Sequence, residues 1–244
     1  MGKASLRTAF HVTYNGIQDS AVGVHATTRP SIPTAREVVQ TYTIPGRDGS
    51  LTVRDGTVED IAVTVEFGFT GYPDEWQGIA ASARDWLIGH SGVWLQFSDM
   101  PGWHYNVRYV EMSDTARALK KTGTFSATFY CDGYQYSNSG ASDMTLSSPI
   151  ANQWATAHPE YLITGNGVCT LTVNGKALQA TIAQNLTIDT DRFMAYRTDS
   201  GVVMNTALIM GNYEYKDFWL VHGNNTVTIS SGFTLDIIPN WRRL

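Results

Sequence analysis

The stretch "IAVTVEFGF", residues 61–69, alternates without a break. Ile61, Val63, Val65, Phe67 and Phe69 fall on one side, and Ala62, Thr64, Glu66 and Gly68 on the other. A period of two with β-branched and aromatic residues is the mark of a half-buried strand. The same pattern recurs on both sides of this stretch. Leu6, Thr8, Phe10, Val12 and Tyr14 share one face; Trp103, Tyr105, Val107 and Tyr109 share another; Phe125, Ala127, Phe129 and Cys131 a third. The chain therefore reads as mainly β, with mostly antiparallel sheets.

One segment departs from this period. In "PDEWQGIAASARDWLIGH", Trp76, Ile79, Ala80, Ala83, Trp86 and Leu87 recur at helical spacing, which predicts one α-helix over about 74–89 with its apolar stripe on the sheet. Asp74 and Glu75 open it, where acidic groups suit the helix dipole, and Gly89 closes it.

Upstream of residue 61 the alternation weakens. Residues 27–57 carry three prolines before Gly46 and few alternating pairs before Val38. Proline removes a backbone donor and favours edges, so this segment is expected to be a projecting arm or hairpin lying against a neighbour. Its tip, "YTIPGRDGSL" (42–51), could be mistaken for a phosphate cradle. It has no Lys after its second Gly and no G-x-G-x-x-G, so both nucleotide-loop patterns fail. It reads instead as a turn, with Gly46 and Gly49 supplying positive φ. Arg47 and Asp48 then sit at the tip, either as contacts to a next subunit or as a pair within the chain.

Downstream, "YQYSNSGASDMTLSSP" (134–149) is small, polar and turn-rich, and residues 137–149 read as a linker. Short strands then resume around Cys169, Leu171, Val173, Leu186, Ile188, Val227, Ile229, Leu235 and Ile237. Asn174-Gly175 is a strong hairpin signal, and regular turns imply a β-sandwich over 150–244. The expected organisation is an N-terminal β-rich domain of residues 1–136, a linker, and this second domain.

The chain has 244 residues, a net charge of −5 and only 16% charged residues, yet 7 Trp and 12 Tyr. Few charges with many amphipathic aromatics suit interfaces, although β-rich proteins use aromatics in any case. No basic footprint of a nucleic-acid binder is present. "MGKASLRTAF" has no apolar signal core, and no segment is long enough to span a bilayer, so synthesis and assembly in a cytoplasm are expected. Cys131 and Cys169 read as buried small hydrophobes.

Signs of chemistry are few. The six histidines form no H-E-x-x-H or H-x-x-x-H, and there is no C-x-x-C or G-x-S-x-G. His104 reads as a surface or cross-strand residue. Asp189 and Asp191 form a D-x-D within "TIDTDRF", read as turn residues capping nearby amides rather than as a metal site. No catalytic, cofactor or metal residue is assigned, and the chain is not expected to be an enzyme.

The order of these blocks carries a resemblance. "IPGRDGSL" after an extended segment, followed by an alternating strand and a single helix, resembles the N-terminal region of the distal tail protein (Dit) family of siphophages. "LITGNGVCTLTVNG", "LTIDTDRFMAYR" and "GNNTVTISSGFTLDIIPNWRRL" resemble that family's C-terminal domain. The resemblance covers most of the chain. It implies an N-terminal domain forming a hexameric ring and a C-terminal galectin-like β-sandwich. It implies a hub in the virion, assembled in the host cytoplasm, that joins the tail tube protein to tail-tip or baseplate hub proteins. Tape measure and receptor-binding proteins are further candidate partners, and DNA passes through the channel without sequence-specific binding. No cofactor and no membrane partner are implied. Arg36, Tyr42, Arg47, Asp48 and Arg54 are the expected subunit-interface residues. "NYEYKDFWLVHGNNTV" departs from the family, whose members carry a shorter run there, and no large carbohydrate-binding insertion is present. The rival reading is a carbohydrate-binding module attached to host cell-wall polysaccharide, with Trp154 or Trp219 as the stacking ring.

Overall fold

The computed structural model describes residues 9–116 and 121–244. The chain divides into two compact units, residues 1–135 and 136–243. It is mainly β with a single α-helix among the described residues.

The first unit contains β1 (Val12–Tyr14), β2 (Ile17–Gln18), β3 (His25–Ala26), β4 (Glu37–Thr43), β5 (Ser50–Val58), β6 (Ile61–Thr70), α1 (Trp76–Leu87), β7 (Val93–Phe97), β8 (Trp103–Met112) and β9 (Thr122–Ser137). The main sheet runs in the order β2-β1-β7-β8-β9-β6-β3. β6 and β9 pair antiparallel from Ile61↔Cys131 to Thr70↔Thr122. The expected stripe is the buried one: Val63, Val65, Phe67 and Phe69 are buried, facing Phe125, Ala127 and Phe129. α1 lies on this face. Trp86 meets Phe67 edge-on at 5.7 Å, and its indole N–H donates to the Tyr14 carbonyl at 3.0 Å. Trp76 tilts onto Phe69 at 5.0 Å. The two rings fill the space over Gly123, where any Cβ would strike Phe69 and come within 2.8 Å of Trp76. Glu75 does not cap the helix itself; its carboxylate accepts from the Tyr72 amide in the turn before it.

Two strand expectations need correction. The stripe on β8 changes phase: Tyr105 and Val107 face the core, and then Val110 and Met112 do. Tyr109 is thereby turned outward, where it stacks on Tyr130 at 4.3 Å. β9 runs past Cys131, the last residue of the stripe expected for it, to Ser137. His104, read as a surface or cross-strand residue, takes the cross-strand place: it is buried and stacked at 3.8 Å on Trp94 of the neighbouring strand. In the N-terminal stripe, Val12 and Tyr14 are buried, whereas Leu6 and Thr8 lie outside the described residues.

The second unit contains β10 (Met144–Thr145), β11 (Ile150–Asn152), β12 (Glu160–Val173), β13 (Lys176–Asp189), β14 (Met194–Tyr196), β15 (Leu208–Ile209), β16 (Gly223–Asn225), β17 (Val227–Ile229) and β18 (Thr234–Ile238). Its larger sheet follows the order β10-β18-β12-β13-β14, with β15 on β13 and β17 on β12, and β11 pairs β16 separately. Tyr161, Ile163, Leu171, Val173, Leu178, Ile188, Phe218, Leu220 and Leu235 form one core. Asn174-Gly175 makes the expected tight turn, with φ of 50° and 81°, closing Val173 on Lys176. β12 begins at Glu160 rather than at Cys169, because the residues of "TGNGV" keep an unbroken pairing with β13. Residues 138–141 form a 3-10 turn, and Met144–Thr145 pair with β18, so part of the segment read as a linker adds a strand to the sheet. Cys131 and Cys169 are free and buried, and burial pushes the Cys131 thiol up to about 12, which leaves it inert.

Candidate subunit interface

The arm is a hairpin that makes its own two-stranded sheet. β4 and β5 pair from Thr43↔Ser50 to Val39↔Arg54, and the register shifts near Glu37. Six residues, 44–49, reverse the chain. The Arg47 amide donates to the Ile44 carbonyl at 3.2 Å, and Gly46 and Gly49 both take positive φ, near 80°.

Residues directly opposite across the ladder share a face. Gln40, Tyr42, Leu51 and Val53 therefore make one face, and Val39, Thr41, Thr43, Ser50, Thr52 and Arg54 the other. Both faces are exposed: Tyr42 is 50% accessible, Leu51 41%, Val53 42% and Val39 48%. Scattered apolar residues on a surface are ordinary, but Tyr42, Leu51 and Val53 lie together on one face of a short ribbon, the grouping expected of an interaction site, with Val39 on the other face. Val38 and Val58, at the root, are half-buried. There the Glu59 amide donates to the Arg36 carbonyl at 2.8 Å, and Gly133 of β9 lets the root pass. A Cβ at 133 would strike the Glu59 carbonyl and come within 2.8 Å of Val58 and 2.9 Å of Ala35.

The five residues expected at an interface are spread along this ribbon. Arg36 stands at the root and Tyr42 on the apolar face, where its hydroxyl donates to Gln40. Arg47 and Asp48 are exposed in the turn, and among the described residues neither makes an ion pair. Arg54 lies on the opposite face and approaches Glu37 at 3.6 Å, an exposed pair of little energetic weight. Leu51, Val53, Ile44 and Gln40 were not picked out from sequence, although Leu51 and Val53 already alternate within "SLTVRDGTV".

The strongest titratable cluster is in the second unit. His158 Nδ1 lies 2.7 Å from Asp191, Nε2 lies 2.7 Å from the Arg242 guanidinium, and the ring stacks on Trp219 at 3.9 Å. Arginine only donates, so Nε2 accepts and the neutral ring donates from Nδ1 to Asp191. Burial holds the His158 pKa below its ordinary value, and the hydrogen bond from His158 lowers that of Asp191. Both ring nitrogens are thus occupied, and no nucleophile can meet Nε2, as a Ser–His or Cys–His pair requires. Asp189 accepts from the amides of Asp191 and Arg192 at 3.0 and 2.9 Å, the turn-capping role expected of it. No group of His, Cys, Asp and Glu suited to a metal ion occurs among the described residues. No described helix is long and apolar enough to cross a membrane.

The two tryptophans considered as sugar platforms are packing residues. Trp219 lies between His158 and Phe193 and donates to the Thr190 carbonyl, while Trp154 tilts onto Trp241 at the edge of the core.

No family model matches the chain, and no curated protein matches it in sequence. Among solved structures it is similar to the SPP1 Dit protein, with a TM-score of 0.65 over 97% of this chain and 99% of that one, at 16% identity. The two chains share a fold. SPP1 Dit is described as a paradigm of the hub adsorption apparatus of phages that infect Gram-positive bacteria.

Proposed function

We propose that this chain is a structural protein of a phage virion, the hub at the distal end of a siphophage tail. Six copies form a ring through the first unit, and the second unit takes the galectin-like role. The ring joins the tail tube protein to tail-tip or baseplate proteins and leaves a channel for DNA. Tape measure and receptor-binding proteins are further neighbours, and assembly takes place in the host cytoplasm. The chain is not an enzyme in this reading.

One observation carries the proposal: a hairpin exposed on both faces, in a chain whose fold follows SPP1 Dit along nearly its whole length. An isolated two-stranded ribbon is marginal in water. Laid against the next copy, it buries Tyr42, Leu51 and Val53, and Arg36, Arg47, Asp48 and Arg54 set its register. A ring needs a heterologous contact whose rotation closes. Permanent interfaces of this kind bury more than about 2,000 Å² in total, and the arm adds area that the compact sheet lacks.

The test is light scattering with electron microscopy of the purified chain and of a variant in which residues 37–58 are replaced by a short Gly-Ser link. The full chain should form six-membered rings with a central hole, and the variant should be monomeric with its second unit still folded. Intact rings in the variant would remove the arm from the interface, and a monomeric full chain would remove the ring.

A further inference from the structure

The outer face of the β12–β13 hairpin carries a cleft of about 480 Å³ that the hub reading does not use. Thr170, Ala177 and Gln179 project from the sheet to form its floor. Ile209, Asn212 and Tyr213 form its rim. The rim is held in place. Ile209 pairs with Gln179 through β15, the Tyr213 amide donates to the Met210 carbonyl at 3.0 Å, and the Tyr213 ring meets the buried Phe218 edge-on at 6.2 Å. The cleft is therefore formed before any ligand arrives, which spares the cost of ordering a loop on binding.

Its chemistry is narrow. No ionisable carboxylate, ammonium, guanidinium or imidazole lines it. Among the described residues, the side-chain amides of Gln179 and Asn212 and the hydroxyls of Thr170 and Tyr213 make no hydrogen bond within the chain. An aromatic ring beside neutral amides and hydroxyls can pack on an apolar C–H face while it pairs ring hydroxyls. An uncharged lining offers nothing to an anion or a cation.

We propose that this cleft binds a neutral saccharide, with Tyr213 as the stacking ring and Gln179, Asn212 and Thr170 as hydrogen-bond partners. This assignment does not rest on the ring, since every residue named belongs to the second unit. It replaces Trp154 and Trp219, whose rings are engaged in packing. The shallow opening suits one exposed unit of a polysaccharide, so a free monosaccharide binds with roughly millimolar Kd.

The experiment titrates the full chain with D-glucose, D-galactose and N-acetylglucosamine, each followed by amide chemical shifts in NMR. At least one sugar should shift residues 170, 179 and 209–213 together. Tyr213→Ala should weaken that binding about tenfold or more. Gln179→Ala, at an exposed sheet position outside the core, should weaken it several-fold. Glucosamine and glucuronic acid, the charged counterparts, should bind no tighter. Overturning results are no shift with any sugar, shifts confined to other residues, unchanged affinity in both variants, or a preference for a charged sugar.

Discussion

Two long hairpins of the chain, β12–β13 and β4–β5, have opposite fates. In β12–β13, Leu171 faces Leu178 and both are buried; in β4–β5, Tyr42 faces Leu51 and both are about half exposed. Each has alternating residues and a glycine-bearing turn. The difference lies outside the hairpins. The first lies within a sheet of several strands, with β17 and β18 on one side, β14 and β15 on the other, and a core beneath. The second has a sheet to itself. Local pattern is enough to pair two strands, but burial needs a third element. For the arm, no element of its own sheet supplies one.

Three measurements bear on this comparison. The largest effect should come from truncating matched leucines. Leu171→Ala leaves a cavity in a full core and should cost about 2–5 kcal/mol in urea unfolding. Leu51→Ala should change the unfolding free energy of the monomer by less than about 0.5 kcal/mol while weakening self-association. Equal losses in monomer stability would mean that the arm already has a core of its own. A smaller contrast is expected at the turns. Gly175 and Gly49 both hold φ near +80°, where a Cβ costs about 1 kcal/mol. Gly175→Ala should speed amide exchange throughout the second unit, whereas Gly49→Ala should affect exchange only within residues 37–58.

The smallest effect is a pH dependence confined to the second unit. His158 is held neutral by burial, with the nearby Arg242 charge acting in the same direction, so its folded pKa lies below its ordinary value near 6.5. The unfolded chain then takes the proton first. Stability is full above about pH 6.5 and declines as pH falls from there to the folded pKa, with no further loss from this group below it. The thermal transition of the second unit should move down between pH 7 and pH 5. His158→Gln, which can still donate to Asp191 and accept from Arg242, should flatten that dependence. An equal decline in the variant would assign it to other groups.

Much of the fold was legible because burial and the period of two coincide in Ile61–Phe69 and Phe125–Cys131. The helix was legible because its stripe follows a different period. The phase change in β8 was not, since no residue type in "WHYNVRYVEM" marks the point where Tyr109 turns to the other face. The start of β12 was not legible for a related reason: the alternation reads from Cys169, yet pairing with β13 runs back through the glycines of "TGNGV" to Glu160. At the candidate interface, the turn chemistry of Pro45-Gly46 and Asp48-Gly49 was readable, as were Tyr42 and the charged residues beside it, but nothing local set Leu51 and Val53 apart from any other strand residues. Alternation alone does not tell which face a neighbour will cover.

From its own order of residues the chain determines where it extends, where it coils and where it turns, because those choices depend on contacts a few residues apart. Which apolar face becomes core was decided only by the assembled sheets. So were the passage of the arm root over Gly133, the occupation of both His158 nitrogens and the gathering of Thr170, Gln179 and Tyr213 around one cleft. Each of these joins residues tens of positions apart, and no local propensity records the energy of such an encounter.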